Sequence, residues 1–216
     1  MNFVGHIATG VAVDGSRADT EFLLGTALPD FAAMARLRLE RTSTVNVGSL
    51  QAGMQLHHDT DAVFHRQGWF LDLEHDVLGD LTAAGVPRGA ALACAHVGVE
   101  LLLDGELLRT RETADAVGDV YRSMAAPPAA ALDVVPPARR VQWSEHLAGI
   151  AERLDPFGYA DPQSVAQRLH RITSSRPRLA FGPEHLATIA VLLAAVQPQI
   201  AASAPEILSR VAAAVR

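Results

Sequence analysis

Two stretches of this chain pair an imidazole with a carboxylate four residues apart. In Leu56-His57-His58-Asp59-Thr60-Asp61 the pair is His57 and Asp61. On a helix both side chains leave one face, one turn apart. So placed, they can grip a single divalent cation from a rigid support. His96 and Glu100 repeat the spacing, and Asp104 extends it to i+8. The helix carrying them is otherwise Ala, Leu and Val. Ionisable groups there are costly unless paired, metal-bound or turned to solvent. Two lone candidates precede these stretches. His6, on an apolar first helix, reads either as a satisfied core histidine or as a ligand. Asp30, after Pro29, reads either as a turn carboxylate or as a ligand.

Late in the chain, Arg168, Arg171, Arg176 and Arg178 surround one helix end and its following loop. Guanidinium groups suit bidentate contact with phosphate or with an acidic protein surface. They equally suit a helix C-terminus, where the dipole favours cations and Pro177 acts as a stop. Cys94, the one cysteine, sits in an apolar helix and reads as a buried structural thiol, not a nucleophile.

The elements that must position these groups read as helices almost throughout. Phe3, Ile7 and Val11 mark a first helix closing near Gly15. A short second one, capped by Asp19 or Thr20, runs through Leu24 and ends at Pro29-Asp30, with helix resuming over 32–39. Residues 42–49 read as a polar loop. Further helices are expected over 50–67, 69–84, 88–108 and 112–124, with a loop at the Ala/Pro run 125–131. Pro136-Pro137 opens a helix to Leu154, and Asp161-Pro162 opens one to about Ser174. Pro183 opens one to Val196, and Pro205 opens or kinks the last. No strand alternation or internal repeat is present. The expectation is an all-α, single-domain helical bundle over residues 1–216.

Composition narrows the function classes. The 216 residues are 49% hydrophobic and 19% charged, as in an ordinary globular chain. A single cysteine forms no internal disulfide. No signal peptide is recognisable, and the longest strongly apolar run, residues 187–196, is too short to span a bilayer. The expectation is a cytoplasmic protein without membrane association; a homo-oligomer is compatible with it. Residues 1–125 carry 17 acids against 9 Arg, which suits a cation site, whereas residues 126–216 carry 7 acids against 9 Arg. The net charge of −6, with no basic stripe interleaved with aromatics, speaks against nucleic acid.

The residues also resemble a family. Met1-Asn2-Phe3-Val4-Gly5-His6 is similar to the Met-Asn-Phe-x-x-His start of acyl carrier protein phosphodiesterases. Gly25-Thr26-Ala27-Leu28-Pro29-Asp30-Phe31 resembles their Gly-Asn-x-x-x-Asp-Phe. Gly53-Met54-Gln55-Leu56-His57 with Asp61 resembles their Gly-x-x-x-His-x-x-x-Asp. His96 falls where the family has an Asp-His pair. Trp143-Ser144-Glu145 and Ser175-Arg176-Pro177-Arg178-Leu179 resemble its Trp-Ser-Glu segment and its Ser-Arg-Arg-Pro-Arg-Leu signature. His58-Asp59 also spells the dipeptide of HD-type phosphohydrolases, although neighbours on a helix diverge by about 100°. Three positions depart from the family pattern: Thr26, Ala95 and His65.

The resemblance implies an HD-domain-like fold and a divalent cation, manganese first, with iron or zinc as alternatives. It implies metal ligation by His6, Asp30, His57, Asp61 and His96. Asp61 or Glu100 would act as general base, and Arg171, Arg176 and Arg178 would hold the substrate. The activity implied is release of 4′-phosphopantetheine from holo acyl carrier protein. The alternatives are another metal-dependent phosphohydrolase, acting on a nucleotide or lipid head group, and a non-catalytic helical relative.

Overall fold

Apolar residues recurring every three or four positions bury one stripe of each segment, and the stripes meet in one core built on Phe3, Leu24, Phe31, Phe64, Phe70, Leu102 and Trp143. The computed structural model describes residues 1–15, 18–39 and 48–216. These residues form ten α-helices and no strand, the all-α bundle expected from the sequence. The helices are α1 (Phe3–Asp14), α2 (Thr20–Met34), α3 (Ser49–Phe64), α4 (Gly68–Ala83) and α5 (Arg88–Leu107). They continue as α6 (Arg111–Ala125), α7 (Ala129–Asp133), α8 (Arg140–Arg153), α9 (Pro162–Thr173) and α10 (Leu186–Ala214). The polar loop expected over 42–49 falls largely outside the described residues.

Helix α5 is central, packing on α1, α4, α9 and α10. Its run from Gly98 to Leu107 is wholly buried. Asp104 at its buried end anchors α1. It accepts from the backbone N–H of Gly5 at 2.9 Å and of Val4 at 3.3 Å, and from Asn2 Nδ2 at 2.8 Å. The two backbone N–H groups have no partner inside their own helix, and Asp104 supplies one, although burial pushes its carboxyl up to about 8.

Several boundaries differ from the sequence expectation. Helix α2 runs through Pro29 instead of ending there. Leu24, Ala27, Leu28 and Phe31 are fully buried on both sides of the proline, and packing outweighs its cost of about 3 kcal/mol. The helix then stops at Met34, and residues 35–39 are not helical. Arg36 adopts the left-handed conformation (φ 54°), and the Leu37 N–H reaches back to the Ala32 carbonyl at 2.9 Å, a Schellman closure without glycine. The Ala/Pro run is not all loop, since α7 begins at Ala129.

Likewise, Pro198 and Pro205 lie inside one 29-residue helix, α10, whose Ile189, Leu193, Ile200, Ile207 and Val211 form a continuous buried stripe. Residues Pro183–Ala214 are thus long and apolar enough, by length and composition, to cross a membrane. The strongly apolar run of residues 187–196 is thus one part of a longer helix. In the structure this helix packs on α1, α4, α5 and α9.

Candidate metal centre

The centre begins with two glycines. A Cβ at Gly53 would collide with the Phe22 carbonyl, and one at Gly25 with the Leu50 carbonyl. The backbones of α2 and α3 therefore touch, as only residues without a side chain allow. One turn beyond Gly53, His57 consequently reaches α2, and its Nδ1–H donates to the Thr26 carbonyl at 2.9 Å. That bond settles the tautomer and leaves Nε2 with a free lone pair.

His6 enters from α1 and stacks on His57 with ring centroids 3.8 Å apart. Its Nε2–H donates to the Met1 carbonyl at 2.9 Å and lies 3.3 Å from Asp61 Oδ1. Asp30 enters from α2. His6, Asp30 and His57 each offer a potential ligand atom, and the three atoms lie within 4.8 Å of one another. Asp61 borders the group, with Oδ2 3.7 Å from His57 Nε2 and its side chain 36% exposed. Asp61 is therefore the part of the group that meets solvent.

Burial dominates the electrostatics. It pushes His57 down to about 3, with His6 adding to the effect, and it also lowers His6. Both rings are neutral at pH 7, the form that ligates metals. Burial pushes the Asp30 carboxyl well above the usual range. Among the described residues, Asp30 Oδ2 and His6 Nδ1 are buried without a hydrogen-bond partner. Buried polar atoms are rarely left so, and two in one cluster call for an additional partner. Burial works against ionisation of Asp61, yet the His6 hydrogen bond and the Met1 α-amino group outweigh it and hold Asp61 well below the usual carboxylate range.

The structure separates His96 from this group. His96 stands with His65 and Glu100 in a second cluster, again with ligand atoms within 4.8 Å of one another. The α-amino nitrogen of Met1 lies between the clusters, 3.1 Å from Asp61 Oδ1 and 3.0 Å from Glu100 Oε1. Burial opposes its charge, but Glu100 and Asp61 raise its pKa above the ordinary value. Glu100 is buried, not on a solvent face. Burial raises its pKa, but the His65 hydrogen bond, Met1 and His96 together bring it down to about 2.

Of the other positions singled out in the sequence, His58 and Asp59 are exposed, and Asp59 accepts from Gln55 at 3.0 Å. The literal His-Asp dipeptide is no part of either cluster. Asp104 is fully buried and anchors α1. Thr26 supplies its carbonyl to His57, and Ala95 is buried in the core. His65, a departure from the family motif, stands in the second cluster. Its place was open to sequence reasoning, because His57, Asp61 and His65 share one i, i+4, i+8 stripe. Glu74, which holds His96 from α4, left no such signal.

The arginines divide. Arg171 and Arg176 line a groove of about 360 Å³ together with Arg36, Arg153 and Arg168. Arg178 lies apart from that lining, exposed, with its backbone carbonyl pressed against Gly89 of α5. Met34, one turn after Asp30 on α2, lines the groove, and His146 of the same lining donates from Nε2 to the Phe31 carbonyl at 3.0 Å. Asp30 of the cluster and Met34 of the groove are therefore one turn of α2 apart, roughly 6 Å along its axis.

Comparison with known proteins adds no relative: the chain matches no family model, no curated protein and no solved structure.

Proposed function

We propose that this protein is a divalent-metal-dependent phosphodiester hydrolase that releases 4′-phosphopantetheine from holo acyl carrier protein. The observation that carries the metal is the His6–Asp30–His57 group with its two unpartnered buried atoms, Asp30 Oδ2 and His6 Nδ1. The donors fit such an ion: two neutral imidazoles and a carboxyl suit manganese, iron or zinc better than magnesium or calcium. His6, Asp30 and His57 would hold it, with Asp61 beside them.

Once bound, the cation supplies Lewis acidity, offsetting charge on a phosphoryl oxygen and making water a nucleophile near neutral pH. The chain's own residues do the rest. The Thr26 carbonyl keeps His57 in its ligating tautomer. Asp61, partly exposed and ionised, faces incoming substrate and takes a proton from water. Its depressed pKa makes it a weak base and suits it equally to a ligand.

Substrate recognition falls to the arginine groove. Five guanidinium groups without an acid among the groove's lining residues favour a phosphate or an acidic protein surface. The choice of acyl carrier protein comes from the resemblance of the ordered motifs, and the proximity of groove and cluster along α2 is compatible with it. The reading goes with a cytoplasmic location, where the buried Cys94 stays reduced.

The test is incubation with holo acyl carrier protein and manganese, followed by intact mass. Loss of the phosphopantetheine mass is the expected result. An unchanged carrier protein, with a nucleotide or lipid phosphodiester cleaved under the same conditions, would replace the substrate and keep the metal chemistry. No cleavage of any of these by the metal-loaded protein would overturn the enzymatic reading.

A further inference from the structure

The second cluster is built differently from an ordinary ion pair. His65 caps the end of α3, and His96 and Glu100 stand one turn apart on α5. His65 Nε2 lies 3.0 Å and His96 Nε2 3.5 Å from the same oxygen, Glu100 Oε1. A salt bridge to Glu100 would need one ring. Here two rings, stacked with centroids 5.2 Å apart, turn the same nitrogen to one point.

Both rings are also held from behind. His65 Nδ1–H donates to the Asp61 backbone carbonyl at 3.1 Å, and His96 Nδ1–H donates to Glu74 Oε1 at 3.0 Å. His65 also donates from Nε2 to Glu100, so a cation here displaces that proton and meets a ring whose Nδ1–H is already fixed, as in metal-ligating histidines. A third observation concerns charge. The Met1 ammonium is bonded to Glu100 and Asp61 and lies 3.3 Å from His65 Nε2, so positive charge is already stabilised at this position and a cation there takes the ammonium's place.

We propose that His65, His96 and Glu100 form a second divalent-cation site beside the first, with Asp61 between them. The inference rests on the reading of the His6–Asp30–His57 group as the first cation site. Asp61 joins the two: Oδ1 is 3.3 Å from His6 Nε2 and 3.7 Å from His65 Nδ1, and its backbone carbonyl orients His65. Two imidazoles and a carboxylate take manganese, iron or zinc. The side chains of His65 and His96 are 33% and 39% exposed, so the remaining coordination positions face solvent and a substrate oxygen can reach them. A dication here takes over the charge compensation of Glu100 and Asp61, and the α-amino group either loses its proton and ligates or withdraws. Paired cations clamp a phosphoryl group from two sides, which extends the proposed hydrolysis to a two-metal centre.

The test uses the full chain, stripped with chelator and titrated with manganese alone. Ions per chain are counted after gel filtration, and the manganese electron paramagnetic resonance spectrum is recorded. Two ions with a spin-coupled spectrum are expected. His96→Ala should leave one, His57→Ala should leave one, and both spectra should become those of isolated ions. One ion in the parent chain, kept by His96→Ala and lost by His57→Ala, overturns the second site and leaves the first standing. One ion, kept by His57→Ala and lost by His96→Ala, does the reverse. No bound ion overturns both.

Circular dichroism checks the fold. Should His96→Ala fail to fold, Glu74→Gln leaves all three ligands in place and loosens only the His96 ring. It should weaken one of the two ions by about tenfold or more and leave the other unchanged. Both affinities unchanged from the parent in that variant would overturn the proposal.

Discussion

His57 on α3 donates from Nδ1 to the backbone carbonyl of Thr26 on α2, across 2.9 Å. This one hydrogen bond spans two helices and sets the direction of a ring whose other nitrogen belongs to the candidate centre. It exists because Gly25 and Gly53 let the two backbones touch.

Gly53→Ala is therefore expected to push the helices apart. The added methyl meets the Phe22 carbonyl, which is backbone and cannot rotate away. Overpacking of this kind costs about 1–3 kcal/mol. Manganese affinity should fall as well, because His57 loses its anchor. Urea unfolding and calorimetric titration read the two effects. A variant as stable as the parent, with undiminished affinity, would mean that the crossing does not position the ring.

Asp30 presents a trade between stability and binding. Its carboxyl is buried, and Oδ2 lacks a partner. Leaving a polar atom unsatisfied costs about 1–3 kcal/mol, so Asp30→Leu should stabilise the metal-free protein by an amount of that order. The same variant should no longer gain melting temperature from manganese. In the parent chain, cation at 100 times its dissociation constant adds about 2.7 kcal/mol. A destabilised metal-free variant would show that Asp30 is held by something other than a bound ion.

Arg36 joins the groove from a left-handed backbone (φ 54°). An L residue there carries about 1 kcal/mol of steric cost that glycine avoids, part of it offset by glycine's greater chain entropy. Arg36→Gly is expected to raise stability by a few tenths of a kcal/mol while weakening inorganic phosphate binding at low salt. Thermal melts and a phosphate titration separate the two. Unchanged phosphate affinity would remove Arg36 from the anion site.

The two tyrosines contribute to the pH dependence at the alkaline end, beside the Cys94 thiol, which burial pushes up to about 12. Burial pushes Tyr159 up to about 12 and raises Tyr121 further. The folded chain thus holds these phenol protons more tightly than the unfolded chain, whose phenols titrate near 10. Their contribution to stability is complete below pH 10 and is lost as pH rises through 12, by roughly 1 kcal/mol per pH unit for Tyr159. Ultraviolet titration of the native protein should show no phenolate step near pH 10, whereas the urea-unfolded protein should show both. A native step near pH 10 would contradict the burial of these rings.

The helical class, most helix positions and the membership of His57 and Asp61 in one stripe were legible in the sequence, because helix period and turn residues are local properties. So was the capping of α9 by Asp161, whose side chain accepts from Gln163 and Ser164. The continuity of α2 past Pro29 and of α10 past Pro198 and Pro205 was not legible. There the burial of distant partners overrides a local signal. Which ionisable groups meet was likewise decided in three dimensions. Spacing put His96, Glu100 and Asp104 on one stripe. Only the docking of α1 against α5 assigned Asp104 to a helix N-terminus, and only the position of the end of α3 brought His65 to Glu100. Only the position of α4 supplied Glu74 to His96. Side chains from separate helices converge through packing between residues far apart in the chain, and the period of a single helix carries no record of that packing.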